Sequence, residues 1–328
     1  MPEPSPTLKR RGRLFRIGAA FVILFAVAGY LAVQYVTGGR GGSGCKVVSG
    51  EAGGASYEFT PEQAVNAATI AAVGTGRGMP ERAVTIAIAT SLQESGLHNI
   101  EHGDRDSLGL FQQRPSQGWG TKKQILDPTY AAGVFYQHLA KVHDYAKLPL
   151  TVAAQRVQRS GYPEAYAKRE PDATLLSAAL TGNSPATLTC AGLPAATRAA
   201  GPDAVRAALV RDFGRDALQP AAAEVSAAST PAPSPAGSTT ESTTETARTV
   251  TLPVADKSPA KGRSVRQRGW QLAHWAVANS SALHIERVSY GGREWTAGSA
   301  DTPWHTAAAE GAGVVGKATG AVRIVTAQ

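Results

Sequence analysis

The residues best able to do chemistry lie in two neighbouring stretches, SLQESGL at 91–97 and GDRDSLGLFQQRP at 103–115. Glu94 ends a largely apolar segment that begins at Pro80 and predicts a buried helix. Burial and the negative end of the helix dipole both raise the pKa of a carboxyl group at that position. Cleavage of a glycosidic bond needs such an acid, still protonated near neutral pH, to protonate the leaving oxygen. The alternative for Glu94 is a structural ion pair with an arginine.

The order of residues in these stretches favours the catalytic interpretation. Glu-Ser at 94–95, followed by Ser-x-Gly-Leu-Phe-Gln at 107–112, resembles the signature of the lysozyme-like superfamily, specifically soluble lytic transglycosylases and goose-type lysozymes. The resemblance covers residues 58–182 and looks closest to membrane-anchored cell-wall proteins of high-GC Gram-positive bacteria. It implies a mainly α lysozyme-like domain that acts on peptidoglycan glycan strands.

The same resemblance implies a role for each matching residue. Glu94 would be the general acid/base. The supporting and substrate-binding residues would be Ser95, Ser107, Gln112, Gln113 and Tyr162, the last as a tyrosine that faces the glutamate.

The reaction product depends on whether a second carboxylate takes part. A lytic transglycosylase uses one glutamate as acid and then as base, and the 6-hydroxyl of the substrate closes a 1,6-anhydro ring. A hydrolase needs another carboxylate to activate water or stabilise the cation. Asp104 and Asp106 are the candidates, and their alternative role is turn and capping chemistry. Both products remain open from the sequence.

One competing motif is His98-Asn99-Ile100-Glu101-His102, an H-x-x-E-H pattern found in zinc proteases. Zinc chemistry would need a helix that holds both histidines on one face. Gly96 and Gly103 flank the motif, so we expect a loop instead. We therefore expect no metal site and no cofactor.

The N-terminal leader predicts a membrane anchor. Residues 1–16 are basic and predict a cytoplasmic tail, whereas residues 17–36 are apolar except for Gln34 and long enough to span a bilayer. The remainder of the chain would then lie outside the membrane. The alternatives are a cleaved signal peptide and a lipoprotein site ending at Cys45, both of which fit the pattern less well.

Two cysteines, Cys45 and Cys190, flank most of the central segment. In an oxidising compartment two thiols more often pair than remain free, so we predict a disulfide bond between them. The alternative is two free thiols.

The distribution of charge argues against a nucleic-acid partner. The chain of 328 residues has a net charge of +8, but residues 45–218 hold 17 basic and 16 acidic residues and are almost neutral. Much of the excess lies in the leader and in residues 261–328. The charge therefore indicates membrane topology and weak attraction to anionic wall polymers.

Composition divides the rest of the chain into four segments. Residues 37–57 are Gly-rich and predict a spacer, residues 58–218 predict the α domain, and residues 219–260 predict a disordered Pro/Ala/Ser/Thr-rich linker. Residues 261–328 predict a small α+β module, and its tryptophans could form either its core or a sugar-binding platform.

These features together predict a single-pass, membrane-anchored, extracytoplasmic enzyme that cleaves peptidoglycan. The alternative is a non-catalytic wall-binding or scaffold protein that keeps the same cleft.

Overall fold

Capping residues, glycines and prolines divide the chain into short helices and strands. The computed structural model describes residues 44–51, 53–158, 163–192, 201–215, 245, 247–254, 263–298, 300–307 and 320–327. The helices are α1 (Pro61–Gly76), α2 (Glu81–Glu94), α3 (Lys122–Ile125), α4 (Pro128–Leu139), α5 (Leu150–Gln158), α6 (Glu170–Leu180), α7 (Gly201–Phe213), α8 (Val265–Ala278) and α9 (Ser280–Leu283). The strands are β1 (Cys45–Val48), β2 (Ser56–Phe59), β3 (Leu188–Cys190), β4 (Thr249–Pro253), β5 (Ile285–Tyr290), β6 (Arg293–Thr296), β7 (His305–Thr306) and β8 (Ala321–Thr326).

The predicted mainly α lysozyme-like fold is wrong, because two antiparallel sheets accompany the helices. One sheet has the strand order β2-β1-β3, and the other has the order β4-β8-β5-β6-β7. Strand β1 falls in the predicted spacer, and β4 falls in the linker that was expected to be disordered. Val250 and Leu252 of β4 are buried, and β4 pairs along β8. Pairing with a strand about 70 residues away gives this segment an order that its own composition does not predict.

The predicted cytoplasmic tail (1–16) and transmembrane helix (17–36) lie outside the described residues. Among the helices that the structure does describe, none combines the length and apolar character needed to cross a membrane.

Helices α1 to α7 make up the helical part of the molecule. Helix α2 is its buried centre, as the nearly continuous apolar sequence of α2 predicts. Ten of its consecutive residues, Ala83 to Leu92, are buried. Helix α6 runs antiparallel to it, with Thr85 bonded to Ser177 at 2.7 Å between hydroxyl oxygens and Gln93 near Arg169 at the other end. This packing holds the end of α2 in a fixed position.

Helix α8 joins the C-terminal sheet to the helical part. The Trp275 indole N–H donates to Asp212 of α7 at 2.8 Å, and the Gln271 amide donates to the Thr75 hydroxyl of α1 at 2.6 Å. The four tryptophans of this region, Trp270, Trp275, Trp295 and Trp304, are each at most 3% exposed. All four belong to the core packing, which favours the core interpretation over the sugar-binding platform, although Trp270 also borders a pocket.

The predicted disulfide bond is confirmed. Cys45 and Cys190 face each other in the β1–β3 pairing and are joined by an S–S bond across 145 residues of chain. By the loop-entropy relation, closing such a loop stabilises the fold by about 4–5 kcal/mol.

Candidate active site

Glu94 is the last residue of α2 and is half-buried at the surface of the helical part. Tyr166 donates a hydrogen bond from its hydroxyl to Glu94 Oε1 at 2.5 Å. The Gln158 side-chain amide donates a second one to the same carboxylate. Among the described residues, no arginine or lysine forms an ion pair with Glu94, so the structural ion-pair alternative gains no support there.

The electrostatic environment of Glu94 keeps its carboxyl group protonated to a higher pH than usual. Burial raises the pKa of Glu94, and the hydrogen bonds from Tyr166 and Gln158 lower it in part. The net direction is upward. Both donors are neutral, so the carboxyl group can lose and regain a proton without breaking an ion pair.

Ser91 in α2 and Ser95, which directly follows the helix, attach the next loop to it. The hydroxyl groups of Ser91 and Ser95 both donate to the backbone carbonyl of Leu110, at 3.0 and 2.8 Å. Gln158 donates to the next carbonyl, that of Phe111, at 2.7 Å. Gln158 therefore links Glu94 to the loop, and the loop is held at a fixed distance from the carboxyl group.

The loop is a tight hairpin across residues 108–113. Leu108 and Gln113 exchange backbone hydrogen bonds at 3.0 Å, and Gly109 lies at the turn with a φ of +73°. A Cβ at Gly109 would lie 2.7 Å from the carbonyl oxygen of Ile125, so only glycine fits. Phe111 is fully buried and stacks on Phe135, with ring centroids 4.6 Å apart.

The two glutamines that were predicted to bind substrate, Gln112 and Gln113, have different surroundings. Gln113 is buried and donates to the carbonyl of Ala131 in α4 at 3.2 Å, so its amide faces the helical core. Gln112 is half-buried and donates to the carbonyl of Gly109 at 3.2 Å. Ser107 is buried in the turn before the hairpin, where its N–H bonds to the carbonyl of Asp104 at 3.1 Å.

Asp106 forms an ion pair with Arg114. Its carboxylate accepts hydrogen bonds from Arg114 Nε at 2.7 Å, from the Ser116 N–H at 2.8 Å and from the Ser116 hydroxyl at 3.0 Å. These contacts hold the pKa of Asp106 well below its usual range. Asp104 is exposed, and its side chain makes no hydrogen bond among the described residues.

Tyr166 is one of two residues that contact Glu94 and that the sequence did not predict to lie in the site. Tyr162, the predicted cleft tyrosine, lies outside the described residues. Tyr166, four residues later, is fully buried and contacts Glu94 directly. The sequence offers two tyrosines one helical turn apart, and residue type alone does not distinguish them. Gln158 was also missed, because a glutamine at the end of a helix has no distinctive signal.

The H-x-x-E-H motif does not form a helix. Residues 98–102 lie in a loop, and His98 Nδ1 lies 2.9 Å from Glu62 Oε2 of α1. Within the described ranges, no group of three or more His, Cys, Asp or Glu side chains is arranged to hold a metal ion.

No family model matches the chain, and no curated protein matches it significantly. The chemistry of the site therefore rests on its geometry. A half-buried carboxyl group with a raised pKa, next to a tyrosine hydroxyl and an amide, can donate a proton and later accept one.

Proposed function

We propose that the protein is a membrane-anchored, extracytoplasmic glycosidase that cleaves peptidoglycan strands, with Glu94 as its general acid/base. The observation that carries the proposal is the Glu94–Tyr166 contact, which places a carboxyl group of raised pKa at the accessible end of a buried helix. The extracytoplasmic location is supported by the Cys45–Cys190 disulfide, which persists in oxidising compartments, and by the basic, apolar leader of the sequence.

In the proposed reaction, Glu94 first donates its proton to the glycosidic oxygen. The bond from that oxygen to C1 breaks, and the leaving sugar departs with the new hydroxyl group. The Glu94 carboxylate, now stabilised by the hydrogen bonds from Tyr166 and Gln158, lies close to the positive charge that develops at C1. It then removes a proton from the group that attacks C1, which restores the starting carboxylic acid.

The surroundings of Asp106 favour a single-carboxylate route. A hydrolase would need a second carboxylate free to activate water or stabilise the cation. Asp106 is held by Arg114 and Ser116, and among the described residues no hydrogen bond joins the Asp104 side chain to Glu94 or to the two donors that contact Glu94. We therefore propose that the attacking group is the substrate's own 6-hydroxyl, which closes a 1,6-anhydro ring.

Digestion of purified sacculi tests the proposal. The full chain, solubilised in a neutral detergent, should release muropeptides whose mass is one water lower than that of hydrolysis products. Glu94→Gln should release none above background while its circular dichroism spectrum stays unchanged. Products of full hydrolytic mass would contradict the single-carboxylate route. Binding of sacculi without release by the wild type would instead support a non-catalytic wall-binding protein.

A further inference from the structure

A second concave site lies on the C-terminal part of the chain and shares no residue with the Glu94 site. A pocket of about 490 Å³ opens between the first turn of α8, the β5–β6 turn and Pro185. This volume is within the range of small-molecule sites. None of the described residues that line it is acidic.

Two aromatic side chains form the floor of the pocket. Trp270 and Tyr290 meet edge to face with ring centroids 5.5 Å apart, and both are at least nine-tenths buried. Gly269 makes this possible, because a Cβ there would lie 1.9 Å from Cζ of Tyr290. The Tyr290 hydroxyl donates to the carbonyl of Val265 at 3.3 Å, which leaves its oxygen able to accept a hydrogen bond.

The indole nitrogen edge of Trp270 lies beside Gly291, another residue of the pocket wall. Its N–H has no hydrogen-bond partner among the described residues. A ligand in the pocket could therefore meet one donor and one acceptor on an otherwise apolar floor.

Two arginines stand at the rim. Arg266 lies in the first turn of α8, and Arg293 lies directly across from Tyr290 in the β5–β6 pairing. Both side chains are exposed, and neither forms an ion pair with a described residue. Arg293 donates to the carbonyl of Trp304 at 3.3 Å, which orients its guanidinium group. The positive end of the α8 dipole adds to the attraction for an anion.

We propose that this pocket binds the carboxylate at the C-terminus of a short peptide with small apolar side chains. The guanidinium groups of Arg266 and Arg293 bind the carboxylate, since arginine matches its two oxygens. The walls beside these charges, Val265 and Pro185, are apolar, so the ligand must carry apolar surface next to its anion. An alanine-terminated peptide does so, whereas inorganic phosphate does not. The Tyr290 oxygen accepts a hydrogen bond from a peptide N–H.

Isothermal titration calorimetry on the full chain in neutral detergent tests the proposal. The probes are N-acetyl-D-alanyl-D-alanine, its C-terminal amide and inorganic phosphate. We expect the acid to bind at least about tenfold more tightly than the amide or phosphate, because either lacks one of the two matched features. Arg266→Gln and Arg293→Gln should each weaken binding of the acid about tenfold. Arg206→Gln removes the same charge from an arginine side chain of α7 that is 43% exposed, and this variant should bind as the wild type does.

Equal affinity for the acid and the amide would overturn the proposal, and so would unchanged affinity in the double variant Arg266→Gln/Arg293→Gln. Phosphate that binds as tightly as the acid would also overturn it, since the apolar walls would then have no role. An unchanged unfolding midpoint in the variants shows that they are folded. The binding measurement requires no catalysis, so its failure is distinct from failure of the glycosidase proposal.

Discussion

Glu94 and Asp106 are carboxylates only twelve positions apart in the sequence, yet their surroundings shift their pKa values in opposite directions. Glu94 is half-buried, and burial raises its pKa, although the hydrogen bonds from two neutral groups lower it in part. Asp106 lies at the surface beside the Arg114 guanidinium and two donors of Ser116, so its pKa is lowered. The first environment suits a group that exchanges protons, and the second suits a group that stays ionised and holds a loop. Two carboxylates that lie close together in the sequence therefore need not share a role.

The largest difference between the two residues should be in activity. Glu94→Gln removes the proposed proton donor and should lower muropeptide release by at least about 100-fold. Asp106→Asn keeps the size of the side chain and should retain most of the activity, because Asp106 only positions the loop. Release from purified sacculi, measured at equal amounts of folded protein, provides the comparison. If Asp106→Asn were as damaging as Glu94→Gln, Asp106 would have to be counted as a second catalytic carboxylate.

Tyr166→Phe should alter the pH dependence of the reaction. The tyrosine hydroxyl stabilises the ionised form of Glu94, so its removal should raise the pKa of Glu94 further. Activity requires the protonated acid and should then persist to a higher pH. At the optimum, the loss of one hydrogen bond to a charged group should lower the rate about 10- to 100-fold. Tyr145→Phe, in a half-buried tyrosine that does not contact Glu94, is the matched control. An unshifted pH profile in Tyr166→Phe would contradict the proposed role.

Stability should depend on pH with opposite signs at the two carboxylates. The pKa of Glu94 is raised on folding, so ionising it costs stability as pH rises from about 4.3 through its folded pKa. Glu94→Gln should therefore gain stability relative to the wild type across that range. The pKa of Asp106 is lowered, so its contribution is present above about pH 3.9 and lost as pH falls through its folded pKa. Asp106→Asn should be less stable than the wild type near neutral pH and converge with it in acid. Urea midpoints between pH 2 and 7 should separate the two variants, and the difference between Asp106→Asn and the wild type should shrink only below about pH 3.9. Parallel curves for the two variants would refute the comparison.

The smallest expected effect is that of Ser95→Ala. It removes one of the two hydroxyl donors to the Leu110 carbonyl, and Ser91 still satisfies that acceptor. The free energy of unfolding should fall by about 1 kcal/mol. Ser49→Ala, at a half-buried serine with a local hydrogen bond to Glu51, should change it by less than about 0.5 kcal/mol. If Ser95→Ala lowered the free energy of unfolding by several kcal/mol, the position of the loop would depend on the hydrogen bond from Ser95 to Leu110 alone.

The helices were predictable because their signals are local. Thr60 and Gln63 form a capping box at the start of α1, and Asp127 caps α4 by accepting from the N–H of Thr129 at 2.9 Å. The apolar run after Pro80 correctly indicated a buried helix. The strands were not predictable in the same way. β1, β3 and β4 are three to five residues long, and each is ordered by a partner strand that is distant in the sequence.

The sequence by itself determined the helix starts, the buried character of α2, the pairing partners of the two cysteines and the placement of Glu94 at a helix end. Each depends on residues close in the chain or on there being only one pair of thiols. Tertiary structure alone decided that Tyr166 meets Glu94, that Asp106 meets Arg114, and that Arg266 and Arg293 share a pocket rim. These contacts join separate segments, and their electrostatic effect depends on burial. Burial is a property of the packed molecule, so residue type and spacing do not reveal it.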